Sequence, residues 1–272
     1  MSNEFDFDTK NGWKHYADAV SQEQMDVLAT RYMDFLSHAK TERETVDLVV
    51  EALKAAGFSE DFKKDLVFRT YRGKAVFVAR KGKKPLASGV RLISAHTDAP
   101  RLDFKQRPLQ EQVGIGQAKT HYYGGIKKYQ WTTIPLELRG VVCVCDKGEV
   151  KRVEVRVGDK PGDPKFVITD LLPHLAANQM SRKATEIVKG EGLNILVGSV
   201  PSETLDEKCS EKVKLAVMEY LNREYGMTEA DFLSAELCCV PAFGACDIGF
   251  DRSFVGAYGH DDRVCSYPAA TS

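Results

Sequence analysis

The sequence predicts an α/β fold interrupted by a β-rich insertion, and three observations carry that prediction. Two amphipathic helical patterns open the chain and lead into a hairpin pattern. The apolar run from Val90 to Ala95 then reads as a strand buried on both faces, delivering His96 and Asp98 to the polar loop where open α/β sheets keep their chemistry. Near residue 102 the pattern changes to short strands and turns, and buried-strand character returns near 233. The expected units are residues 1–101, an inserted β-rich segment 102–232, and a continuation over 233–272.

Composition bounds the function classes. With 272 residues, 43% of them apolar, the chain can bury a sizeable core. Its 38 basic and 39 acidic residues leave a net charge of −1, which argues against a nucleic-acid footprint or a basic membrane-binding face. No apolar run approaches the roughly 20 residues of a membrane span, and the segment from Met1 to Asp8 is acidic where a signal peptide would be basic. A cytoplasmic location is expected. The 7 cysteines are scattered, with no Cys-x-x-Cys spacing, so free thiols are expected rather than disulfides or a structural zinc site.

In chain order, residues 21–39 place Met25, Leu28, Ala29, Tyr32, Phe35 and Leu36 on one helical face. A second helix begins at a Thr41-Glu-Arg-Glu44 capping box, continues through Val46, Val49, Val50 and Leu53, and stops at Gly57. Residues 67–71 and 75–79 flank Arg72-Gly73-Lys74 as a hairpin. Strands are expected at 134–138, 141–145, 153–157, 193–197 and 237–240, with Cys143 and Cys145 packing together on one strand face and a short helix after Leu171. Helical spacing from Glu207 to Tyr225 ends at Gly226, and Thr228 caps a short turn.

Two polar knots could do chemistry. In His96-Thr97-Asp98 the imidazole could bind a metal while the carboxylate holds its other ring N–H, or both could bind directly. Alone, the triplet also reads as a strand-end histidine beside a turn. His260-Asp261-Asp262-Arg263 crowds two carboxylates beside a histidine, an arrangement eased by a cation. Its bland reading is a solvated turn with Asp262 and Arg263 as a surface pair.

Ser94 to Leu109, Ala235 to Ala242 and Phe254 to Cys265, in that order and spacing, resemble the landmarks of the aspartyl aminopeptidase and aminopeptidase I family of zinc peptidases. The resemblance implies the α/β/α catalytic domain of a dinuclear zinc aminopeptidase, interrupted after His-Thr-Asp by a β-rich dimerisation domain. It implies two Zn2+ ions per full-length subunit, with His96 a ligand, Asp98 the catalytic residue that orients it, and Asp261 bridging the metals. Asp262 falls where the family often has Asn. His260 falls where an apolar residue is usual, so it is not expected to ligate. The implied partners are peptide substrates and further copies of the chain, as a dimer building block of a larger homo-oligomer. Acidic and neutral N-terminal preferences both occur in the family, and no residue here decides between them.

The resemblance also implies a Glu-Glu pair, a further Asp and a last His beyond the bridging Asp, whereas the sequence stops at Ser272. A C-terminally truncated peptidase that binds zinc poorly is therefore expected. Asn178 occupies the position of a family histidine that reaches a neighbouring subunit's site. His121, His174 and Glu236 are secondary candidates, and a Cys265–His260 nucleophile pair would lack an orienting group. Rival functions are a non-catalytic assembly or regulatory fragment, and a dinuclear zinc amidase or deacylase.

Overall fold

The computed structural model describes residues 11–203 and 209–271. The acidic stretch from Met1 to Asp8, Glu207 at the expected start of the last long helical pattern, and Ser272 lie outside the described residues.

Short helix α1 (Gly12–His15) precedes α2 (Ala19–His38), which starts where the Asp18 side chain accepts from the Ser21 N–H. Helix α3 (Glu42–Ala55) has the expected capping box: Thr41 Oγ1 accepts from the Glu44 N–H, and the Glu44 carboxylate accepts from the Thr41 N–H. Val46, Val49 and Leu53 are buried, as its apolar spacing requires. Strands β1 (Leu66–Tyr71) and β2 (Ala75–Arg80) pair antiparallel through a three-residue connection in which Arg72 and Gly73 have positive φ. Phe68 packs against Val49 and Leu53, so the hairpin and α3 form a small second core.

The larger core lies on a six-stranded antiparallel sheet in the order β6-β5-β8-β3-β4-β7. Its strands are β3 (Arg101–Gln112), β4 (Ile115–Tyr123), β5 (Leu136–Asp146), β6 (Glu149–Val157), β7 (Ile195–Gly198) and β8 (Glu236–Pro241). Leu102, Leu136, Val142, Val155, Ile195 and Cys239 are fully buried within it. Between β6 and β7 run the short helices α4 (Ala177–Met180) and α5 (Ala184–Ile187). Helix α6 (Lys212–Tyr225) ends at Gly226 in the left-handed region, as expected. Thr228 caps a 3-10 turn over Glu229–Ser234. A small hairpin of β9 (Cys246–Ile248) and β10 (Phe254–Gly256) leads to helix α7 (His260–Thr271).

Helices and strands mix as the sequence predicts, and 102–232 is β-rich, but three details differ. Val90 to Ala95 is not a strand: the segment is irregular, with Val90, Leu92 and Ile93 at 71%, 82% and 66% exposure. Among the described residues no neighbouring strand pairs with it, and an apolar run without a hydrogen-bonding neighbour or a covering layer gains nothing from becoming a strand. Strand β8, expected to belong with residues 233–272, pairs instead with β5 and β3 in the centre of the sheet. On β5 the inward face carries Val142 and Val144, so Cys143 is only half-buried and Cys145 is exposed. The two residues do share a face, but it is the outer one. The short helix expected after Leu171 is α4, which follows a turn at Pro173 and His174. All 7 cysteines are free thiols.

Candidate metal centre

Two irregular segments meet here. Residues 95–100 run past the end of β4, anchored by buried Ala99 and by Pro100, whose carbonyl accepts from the Tyr258 hydroxyl at 2.9 Å. Residues 257–262 form the entry to α7, whose regular turns begin after Asp262 because Asp261 (ψ 108°) and Asp262 (φ −114°, ψ 33°) lie outside helical values. Gly259, at φ 88°, is required at this corner, since a Cβ there would sit 2.5 Å from Arg263 Nη1.

At the meeting point His96 faces two ways. Nδ1 lies 3.0 Å from the Asp98 carbonyl and 3.1 Å from Asp98 Oδ1. Nε2 faces Asp261 Oδ1 at 3.4 Å and Asp262 Oδ2 at 3.7 Å. One ligand atom from each of His96, Asp261 and Asp262 falls within a mutual 4.8 Å. Both groups near Nδ1 are acceptors, so Nδ1 carries the proton and donates it. Nε2 then points a lone pair toward two carboxylates, three acceptors converging where a metal ion could join them. The donor set of one imidazole nitrogen and two carboxylates, with Asp98 holding the far ring N–H, fits zinc.

The electrostatics agree. Partial burial works to lower the His96 pKa, but the Asp98 carboxylate, the Asp98 carbonyl and Asp262 outweigh it and raise the value above 6.5. Burial works to raise the Asp98 pKa, and the hydrogen bond from Tyr123 together with His96 holds it below the usual carboxylate value.

The structure thus brings His96, Asp98 and Asp261 together and adds Asp262, which the sequence gives no ligand role. Its adjacency to Asp261 is the only signal that could have found it. Tyr123 is likewise missed: its hydroxyl donates to Asp98 Oδ2 at 2.5 Å, while attention in that stretch falls on His121. His121 is exposed on β4 and stacks on Tyr122. His174 and Asn178 are exposed and outside the cluster. Glu236 is engaged by Arg43 at 2.7 Å and Lys74 at 3.0 Å.

Both ring nitrogens of His260 are engaged by the protein: Nε2 donates to the Val255 carbonyl at 3.1 Å, so Nδ1 is left to accept from the Tyr32 hydroxyl at 3.0 Å. With both nitrogens occupied it cannot serve Cys265 as a base, which removes the nucleophile pair. Arg263 is no surface partner of Asp262. Its side chain is fully buried near the Tyr258 ring, with one weak bond from Nη1 to the Gly259 carbonyl at 3.4 Å, and burial pulls its pKa down.

The model of the aminopeptidase I zinc metalloprotease family (M18) matches residues 35–272. This chain belongs to that family. The probable M18 family aminopeptidase 1 of Clostridium acetobutylicum is 43% identical over 277 residues, covering 98% of this chain and 58% of the relative. That of Thermotoga maritima is 45% identical over 266 residues, covering 96% and 56%. The crystal structure of an M18 aminopeptidase from Thermotoga maritima superposes with a TM-score of 0.88 at 44% identity, covering 97% of this chain and 57% of that one. The chain therefore spans somewhat more than half the length of the M18 relatives it matches. A dodecameric structure from S. cerevisiae, 21% identical with a TM-score of 0.68, shares the fold.

Proposed function

We propose that this M18 chain supplies zinc ligands to an aminopeptidase that removes N-terminal residues from peptides. His96 Nε2, Asp261 and Asp262 are the donors and Asp98 orients the imidazole. The carrying observation is the convergence of a lone-pair nitrogen and two carboxylates within a mutual 4.8 Å. Bound zinc would lower the pKa of a coordinated water and polarise the scissile carbonyl. Asp98 keeps the Nδ1 proton on the far side of the ring, leaving Nε2 as the donor, and its negative charge raises the basicity of that donor. Asp261, whose side chain is largely exposed, has one oxygen toward His96 and a second available, the shape a carboxylate needs to bridge two ions. A two-ion centre is part of this reading, and it calls for donors beyond the cluster the described residues form.

Self-association belongs to the same proposal. It is supported by Leu171, Leu172, Leu175 and Met180, which stand exposed within one short stretch of the inserted segment.

The test is a calorimetric zinc titration of this chain and its His96→Ala variant, followed by assays with acidic and neutral aminoacyl substrates and with acyl-amino acids. Zinc binding that His96→Ala removes, with any cleavage confined to substrates bearing a free amine, is the expected result. Equal zinc binding by both proteins would overturn the ligand assignment, and preference for acyl-amino acids would favour a deacylase.

A further inference from the structure

The proposed site has a brace outside both motif segments. Tyr123 is the last residue of β4, and the next residue, Gly124, lies against Pro100: at φ 73°, a Cβ there would meet the Pro100 ring at 3.2 Å. This close approach sets the end of β4 beside residues 98–100. The Tyr123 hydroxyl then donates to Asp98 Oδ2 at 2.5 Å, while Asp98 Oδ1 faces His96 Nδ1 at 3.1 Å. A carboxylate bonded through one oxygen can still turn about its terminal torsion, whereas one bonded through both is fixed.

The tyrosine ring is itself held. Arg101, its cross-strand partner on β3, lies with its guanidinium 4.5 Å from the ring centroid. That guanidinium is fixed in turn by Asp103 at 2.7 Å and by Glu42 of α3 at 3.1 Å. A continuous path runs from Glu42 through Arg101, Tyr123 and Asp98 to the His96 ring.

We propose that Tyr123 is a positioning residue for the metal centre: its hydroxyl locks the Asp98 carboxylate so that His96 presents Nε2 to Asp261 and Asp262. The plain alternative, a partly exposed tyrosine resting on a convenient carboxylate, leaves the far end of the imidazole indifferent to its loss. This inference rests on the zinc reading above for its consequence, though not for its geometry.

Two measurements on the whole chain test it. In the first, zinc alone is titrated into the wild type, Tyr123→Phe, Asp98→Ala and the double variant. Tyr123→Phe should weaken binding about tenfold, the lower end of what removing a ligand's outer partners costs. In the Asp98→Ala background the same change should cost nothing, because the hydroxyl acts only through that carboxylate. An equal loss in both backgrounds would mark a general structural role and overturn the proposal. In the second, imidazole nitrogen NMR on the metal-free chain reads the His96 tautomer. The wild type should hold the Nδ1–H form, and Tyr123→Phe should mix in the Nε2–H form; unchanged spectra would overturn the proposal whatever the zinc result. If His96→Ala binds zinc as the wild type does, the ligand assignment fails, while the tautomer measurement still decides the role of Tyr123.

Discussion

Arg139 on β5 donates to Glu44 on α3 at 2.8 Å, with both side chains almost wholly buried, and to Glu137 at 3.0 Å. Glu44 also accepts the N–H groups of Lys40 and Thr41, so one carboxylate closes the start of α3 and ties the helix to the sheet. Removing one partner of such a group leaves buried charge uncompensated. Arg139→Ala should therefore destabilise the chain by about 3–5 kcal/mol in urea unfolding. A loss under about 1 kcal/mol would mean the pair is screened like a surface ion pair.

His96 is exposed and packs no core, so His96→Ala should abolish zinc binding while changing unfolding free energy by no more than about 0.5 kcal/mol. Asp98→Asn should weaken zinc by about 10–100-fold without abolishing it, since the amide oxygen can accept the imidazole proton but brings no charge. Calorimetry at matched pH separates the two variants; an Asp98→Asn titration superimposable on the wild type would reduce Asp98 to a turn residue.

Zinc requires neutral His96, whose pKa lies above 6.5 in the folded chain, so binding displaces a proton. Apparent affinity should fall by about a factor of ten per pH unit once pH is well below that raised value. The metal-free chain has the opposite sign: the raised value adds stability that is full below 6.5 and is lost as pH rises through the folded-state pKa. Melting curves with and without zinc should therefore diverge as pH rises. Parallel curves from pH 6 to pH 8 would rule the linkage out.

If the exposed stretch at Leu171, Leu172 and Leu175 mediates self-association, light scattering on the chain should show mass rising with concentration. Leu172→Asp with Leu175→Asp should hold it at the monomer mass. A wild type that stays monomeric at high concentration would refute the assignment.

The sequence was most legible where local chemistry decides structure. The capping box at Thr41, the turn at Arg72-Gly73 and the stop at Gly226 each follow from a few adjacent residues. Legibility failed where partners distant in sequence decide. Val90 to Ala95 has strand composition, but composition supplies no neighbouring strand. Strands β3 and β4 escaped individual recognition because charged and glutamine residues interrupt any apolar alternation along Arg101–Gln112. At the candidate centre, His96 and Asp98 were readable as a pair because Asp98 lies two residues from the ring it holds. Their approach to Asp261 was suggested by resemblance alone, and Asp262 and Tyr123 depend on how a loop and a strand end converge in space.

The place of β8 in the sheet also has a consequence in time. Hairpins β3–β4 and β5–β6 can close soon after each is synthesised, whereas the edges of β3 and β5 that flank β8 are joined only when β8 pairs with both. Until residues 236–241 leave the ribosome, those two edges of the nascent chain lack the strand that covers them, a state open to pairing with other chains. The six-stranded sheet is thus completed only after β8, the last of its strands in chain order, has been made, and residues 102–232 released alone would keep that unjoined seam.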